Sequence, residues 1–187
     1  MDRVVLITGG IGDIGTAIVK ALSPHFHAVF ALDIASDDEG RAWIDGLEDQ
    51  HKNVVYYRKM DVTHFEECQQ VIGSIIDEFG RVDGLVNNAG ITRDAVFHKM
   101  TKKQWDNVLS VNLDGVFNAT KAVVDSMRHQ QYGRIINISS VNAQQGQFSQ
   151  ANYAASKAGM YGFTKSLAQE LIAKDITVNS ISPGYVV

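Results

Sequence analysis

Two kinds of apolar spacing alternate along the chain. Short unbroken runs, Val4-Val5-Leu6-Ile7 foremost, fit strands covered on both faces. Longer stretches between them repeat their apolar residues at helical spacing. The first run passes through a glycine-rich turn into a helix predicted over 14–22, which Pro24 stops. Residues 27–33 read as the second strand, 41–47 as a short helix and 53–57 as the third strand. Thr63 and Glu66 have capping-box spacing, which predicts a helix running to Phe79. The fourth strand covers 84–87. A second box, Thr101 with Gln104, opens a helical stretch to about Met127. The pattern closes with a strand over 134–138, a long helix over 152–173 and a sixth strand over 176–181. Strands and helices in strict alternation predict an α/β, doubly wound parallel sheet with helices on both faces and strand order 3-2-1-4-5-6. No linker, repeat or composition shift divides residues 1–187, so one domain is expected.

Composition narrows the possible functions. A net charge of −4 and a pI near 5.8 supply no general basic footprint for nucleic acid. No apolar run approaches a membrane span. The first strand begins almost at Met1, which leaves no room for a signal peptide. Cys68 is the single cysteine, so an internal disulfide is excluded. A cytoplasmic setting follows as the expectation. His25 and His27 lack further ligands nearby, and no metal is expected. Cys68 and Trp43 read as packing residues.

The first candidate chemistry is Gly10-Ile11-Gly12-Asp13-Ile14-Gly15, a G-x-G-x-x-G between a strand and a helix. Its glycines let backbone N–H groups approach a pyrophosphate, and the helix N-terminus favours the negative charge. Asp33 ends the second strand, close to where dinucleotide folds carry the acid that binds the adenosine ribose. A carboxylate there repels a 2′-phosphate and accepts hydrogen bonds from ribose hydroxyls. That favours NAD(H). Arg41, the next basic residue, keeps NADP(H) open.

Thr8-Gly9-Gly10-Ile11-Gly12-Asp13-Ile14-Gly15 resembles the T-G-x-x-x-G-x-G turn of short-chain dehydrogenases/reductases. Asn87-Asn88-Ala89-Gly90 resembles that family's N-N-A-G, Asp61-Val62 its adenine-contacting D-V, and Pro183-Gly184 its P-G after the sixth strand. Asn112, Ser140, Tyr153 and Lys157 fall where its catalytic tetrad falls. The resemblance implies a Rossmann-type fold and a nicotinamide dinucleotide. Gly9, Gly12, Asp13, Ile14 and Gly15 would meet its phosphates, and Asp33, Asp61 and Val62 its adenosine. Asn88, Ala89, Gly90, Tyr153, Lys157, Pro183 and Gly184 would lie along the rest. Asp13 departs from the family's middle glycine. It is expected to cap the following helix.

Tyr153 and Lys157, four residues apart, leave one helix face together. A phenol is ordinarily protonated at neutral pH, and a neighbouring ammonium favours the phenolate, so this pair suits proton exchange. Ser140 would hydrogen-bond a substrate carbonyl. Asn112 resembles the family member that holds a water beside the lysine.

The stretches around Gly90–Thr101 and Val141–Tyr153 are similar to acetoacetyl-CoA reductases of polyhydroxybutyrate synthesis. This implies reduction of acetoacetyl-CoA to (R)-3-hydroxybutyryl-CoA, in a homotetramer. Gln147, Phe148 and Gln150 would line the acyl pocket, with Asp94, Lys99 and Tyr185 nearby. Those reductases generally favour NADPH, so Asp33 implies a member that tolerates or prefers NADH. Arg93, His98, Lys99, Lys102 and Lys103 form a basic stretch that suits coenzyme A phosphates, an acidic carrier protein, or simply a solvated helix start. A 3-oxoacyl-(acyl carrier protein) reductase is the alternative enzyme. A non-catalytic dinucleotide-binding subunit is the alternative of another class, because the family's helical flap and seventh strand would follow Gly184.

Overall fold

The computed structural model describes residues 2–184. Its six strands are β1 (Val4–Thr8), β2 (Ala28–Asp33), β3 (Val55–Lys59), β4 (Gly84–Asn87), β5 (Gly133–Ile138) and β6 (Ile176–Ile181). They form one sheet in the order β3-β2-β1-β4-β5-β6. Every pairing is parallel, from Val29 opposite Val55 at one end of the sheet to Ile138 opposite Ile181 at the other. This is the doubly wound order anticipated from the alternating pattern.

Side chains on β1 alternate between two cores. Val4 and Leu6 join Phe30, Ile72, Leu85 and Ile135 on one face. Val5 and Ile7 join Val19, Val29 and Ala31 on the other. Leu6 and Ile7 are wholly buried, each contributing about 1.5–3 kcal/mol relative to exposure. The helices that cover the sheet are α1 (Asp13–Leu22), α2 (Asp37–Asp45), α3 (Asp49–Lys52), α4 (Phe65–Phe79), α5 (Lys102–Leu109), α6 (Gly115–Gln130), α7 (Asn142–Gln145) and α8 (Ala151–Leu171). The chain leaves β1 for β2 on one side and returns from β3 to β4 on the other side of β1, and this reversal of strand order opens a crevice at the carboxyl ends of β1 and β4.

Several boundaries differ from the sequence reading for local reasons. The helix expected over 41–47 spans Asp37–Asp45, because Ser36 and Glu39 form a reciprocal capping box. Thr63 does not cap α4. Its hydroxyl donates to Asp61 Oδ1, the N-cap is His64, and Glu67 accepts the Asp61 N–H. Thr101 and Gln104 do form the expected box at α5. The helix beyond it is not continuous: a π-helical turn, Ser110–Asp114, separates α5 from α6. Asp13 does not cap α1. Gly12 is the N-cap, with extended backbone and no side-chain cap, and Asp13 begins the first turn, where its charge suits the helix dipole.

Candidate active site

The loop from β1 into α1 is held by close backbone approaches. Gly9 has φ +63°, and a Cβ there would lie 2.8 Å from Ala89 Cα. A Cβ on Gly15 would lie 2.1 Å from Gly9 O, so α1 begins directly against the turn. Gly12 is different. Its Cβ would meet only Gly9 O, at 3.6 Å, and Gly12 borders a cleft of about 620 Å³. The protein itself has room for a methyl at Gly12, and its bare backbone leaves that space open to the cleft.

Thr8, the threonine of the T-G-x-x-x-G-x-G match, fastens this loop to the one after β4. Its hydroxyl accepts the N–H groups of Asn88 and Ala89 at 3.0 and 3.1 Å. The Asn88 amide donates in turn to Thr8 O and Gly9 O. Two glycine-bearing loops from neighbouring strands thereby become one rigid wall. The cleft they border also takes in Asp13, Ile14, Asp33, Asp61, Val62, Ala89, Gly90 and Arg93. Every cofactor residue expected from the first half of the chain borders it, apart from the contribution of Tyr153, Lys157 and the P-G pair. A backbone cradle, the Asp33 carboxylate at the cleft border and an apolar slot beside Val62 fit a nicotinamide dinucleotide. Arg41 is turned away, paired with Asp38 on the exposed face of α2.

A second recess of about 340 Å³ adjoins the first, sharing Ile14, Asn88, Gly90 and Ile91. It brings together Ser140, Tyr153, Lys157, Pro183 and Gly184. Lys157 is 3% exposed, and its Nζ donates to Ile138 O at 2.7 Å. Burial lowers its pKa from the usual lysine value to about 8. The ammonium lies 5.7 Å from the Tyr153 ring centroid. One helical turn of α8 delivers both side chains to the recess.

Asn112 sits in the π-helical turn and is fully buried. Its Oδ1 accepts the Ile91 N–H at 2.8 Å, while its amide donates to Ile91 O and Ser156 Oγ. A Cβ on Gly90 would lie 3.4 Å from both Asn112 Oδ1 and Lys157 Nζ, so these two groups flank the same glycine. Ser140 Oγ accepts the Asn142 N–H at 3.2 Å. The Asn142 amide donates to Gln150 Oε1, and the Gln150 amide donates to Asp94. Asn152 ties the two loops at this rim, donating to Arg93 O and Gln104 O. Asn142, Asn152 and Ser156 carry no motif that marks them in the sequence.

Placement of the expected substrate residues is mixed. Gln150 and Asp94 pair at the rim. Gln147 and Phe148 border a separate apolar recess with Ala95, Val96 and Phe97, not the one holding Tyr153. Lys99 lies exposed on a short 3₁₀ turn, Phe97–Lys99, outside both recesses. Tyr185 lies outside the described residues. Arg93, expected in the basic stretch, borders the dinucleotide cleft, and Lys102 pairs with Asp106. Among the described residues no group of three or more His, Cys, Asp and Glu is placed to hold a metal. Among the described residues no helix is long and apolar enough to cross a membrane.

A dinucleotide cleft at the switch point of a doubly wound sheet, joined to a recess with serine, tyrosine and lysine, is the layout of an NAD(P)-dependent oxidoreductase. The family model of short chain dehydrogenases matches residues 3–187, and the chain belongs to that family. Among its relatives, the acetoacetyl-CoA reductase of Shinella zoogloeoides is 48% identical over 186 residues, covering 100% of this chain and 75% of that protein. Nodulation protein G of Azospirillum brasilense is 46% identical over 185 residues, 99% of this chain and 75% of that protein. A 3-oxoacyl-[acyl-carrier-protein] reductase of Vibrio cholerae is 41% identical over 184 residues, 98% of this chain and 73% of that protein.

Proposed function

We propose that the protein reduces the ketone of a short 3-oxoacyl-CoA, acetoacetyl-CoA to (R)-3-hydroxybutyryl-CoA, with NADH as the preferred reductant. The observation that carries this reading is the convergence of Ser140, Tyr153 and Lys157 on one recess that opens into the dinucleotide cleft. Similarity to several acetoacetyl-CoA reductases supports the choice of substrate.

When bound, the nicotinamide supplies hydride to the carbonyl carbon. The backbone around Gly9, Gly12 and Gly15 and the N-terminus of α1 hold the pyrophosphate. Asp33 receives the ribose hydroxyls, and the acids that follow it, Asp37, Asp38 and Glu39, oppose a 2′-phosphate. Ser140 Oγ already accepts the Asn142 N–H, which leaves its own proton for the substrate carbonyl oxygen. Tyr153 delivers a proton to that oxygen as negative charge develops there. Lys157, still cationic at neutral pH, favours the phenolate that remains. Asn112 fixes the loop at Ile91 and, through Ser156, the helix bearing Tyr153.

The basic stretch near α5 suits an acidic carrier protein as well as coenzyme A phosphates, so a 3-oxoacyl-(acyl carrier protein) reductase is the second reading. Rates of NADH consumption on acetoacetyl-CoA and on the matching carrier-protein thioester separate the two; a clear preference for the carrier protein would displace the first. A cytoplasmic homotetramer belongs to the same proposal. Its support is the stacked pair Phe65 and Phe117, 38% and 51% exposed on α4 and α6, and a mass measurement in solution tests it.

A further inference from the structure

The loop between β2 and α2 is tied down by a residue that belongs to neither. Tyr57, on β3, points its hydroxyl at Ala35 O, 2.5 Å away, with Asp33 O at 3.1 Å as a second acceptor. The Met60 N–H also donates to Asp33 O, at 2.8 Å. The Asp33 carboxylate makes longer contacts, accepting the N–H groups of Ile11 at 3.5 Å and Ala35 at 3.4 Å, while Ser36 at the far end donates its N–H to Glu39 at 2.8 Å. Between the bonds that fix its two ends, the phenol is the side chain from outside the segment that holds its middle, at Ala35.

The surroundings are shaped for that ring. A Cβ on Gly40 would lie 2.1 Å from Tyr57 Cδ1, so α2 passes close enough to clamp the ring only because residue 40 is glycine. Burial and the nearby carboxylates of Asp33, Asp37 and Glu39 push the phenol pKa up to about 12, which keeps its proton in place through neutral and mildly alkaline pH. Tyr57 itself is 8% exposed and does not border the dinucleotide cleft. It acts on the ligand only through the loop.

We propose that Tyr57 is a positioning residue for dinucleotide preference, latching the loop after β2 in the shape that presents the Asp33 carboxylate to an unphosphorylated ribose. The inference rests on the reading that Asp33 faces that ribose. With the latch closed, the carboxylate stands ready for two hydroxyls, and the chain has no room to withdraw it from a 2′-phosphate. With the latch open, the loop gains freedom that NADH binding must remove, whereas NADPH benefits from a carboxylate able to retreat. The two dinucleotides therefore respond differently to loss of one oxygen atom. A purely structural hydroxyl would affect them alike.

Tyr57→Phe removes the hydroxyl and keeps the ring against Gly40, so the fold is retained. Equilibrium titration of the purified chain with NADH and with NADPH, followed by nicotinamide fluorescence, reads the effect without any acyl substrate. We expect the NADH dissociation constant to rise by about 3- to 10-fold, the equivalent of one net hydrogen bond, with NADPH affinity held or improved and kcat at saturating NADH unchanged. Equal weakening of both dinucleotides, or no change in either, would overturn the latch. A wild-type chain that binds NADPH more tightly than NADH would overturn the Asp33 reading and the latch with it, and that result is read from the wild type alone.

Discussion

Replacing Lys157 by methionine should abolish turnover and, near neutral pH, make the protein more stable. The side chain is 3% exposed, and burial has lowered its pKa from 10.5 to about 8. At about 1.4 kcal/mol for each tenfold change in proton affinity, the buried charge destabilises the fold by roughly 3 kcal/mol at pH 7. Methionine removes that penalty and fills similar space, but leaves Ile138 O without its donor, a loss of about 1–3 kcal/mol. The net gain at neutral pH is small. The pH dependence is the sharper quantity. Between about pH 8 and 10.5 the unfolded chain binds a proton at Lys157 that the native chain has released, so wild-type stability rises with pH across that window. The penalty is fully present below about pH 8. Urea denaturation of apoprotein at pH 7 and about pH 9.5 should show the advantage of Lys157→Met over wild type shrinking by about 2 kcal/mol. A stability difference that stays constant, or grows in favour of methionine with rising pH, would refute the claim that this cation is held against its own desolvation.

Two other substitutions probe the framework of the site. Asn112→Ala leaves the N–H and C=O of Ile91 unpaired beside the π-helical turn, and should cost about 2–4 kcal/mol, seen as a fall in Tm by differential scanning calorimetry; an unchanged Tm would mean the turn holds without it. Gly15→Ala forces Gly9 O to move away from a methyl 2.1 Å distant, and should weaken NADH binding at least about tenfold, the effect of a lost pyrophosphate contact of 1.4 kcal/mol or more. Calorimetric titration that finds NADH affinity intact would show that the turn is not the phosphate cradle.

The strands and their parallel, doubly wound arrangement were legible because buried strands and amphipathic helices carry short-range patterns. Val4–Ile7 is buried on both sides, and its continuous apolar run said so. Helical spacing put Tyr153 and Lys157 on one face, and the family resemblance gave that face its role. What escaped the sequence depends on partners distant along the chain. Asn87 donates to Thr120 and Asn137, and Asn137 donates to Thr164, a buried polar chain crossing from β4 through β5 to α6 and α8. Thr120, Asn137 and Thr164 alone look like ordinary polar residues in apolar elements, and the N-N-A-G match at Asn87 does not name these partners. Thr8 opens a matched motif and Asn152 does not, but neither local pattern points to the contacts they make some 80 and 59 residues away. The Thr63–Glu66 spacing misled because Asp61, two residues earlier, captured the threonine hydroxyl and produced a turn in place of a cap. Gln147 and Phe148 were assigned to the acyl pocket by resemblance, but the loop through Gly146, with φ +73°, carries them to the neighbouring apolar recess.

Substituting phenylalanine at position 153 removes a single oxygen from the recess and leaves the dinucleotide cleft as it is. Paired measurement of NADH binding and of acetoacetyl-CoA-dependent NADH oxidation in Tyr153→Phe tests the proton-donor assignment directly. Binding within about twofold of wild type, with turnover lower by about 10²–10⁴-fold, is the predicted result. Turnover close to wild type in that variant would remove the phenol from the chemistry and contradict the account.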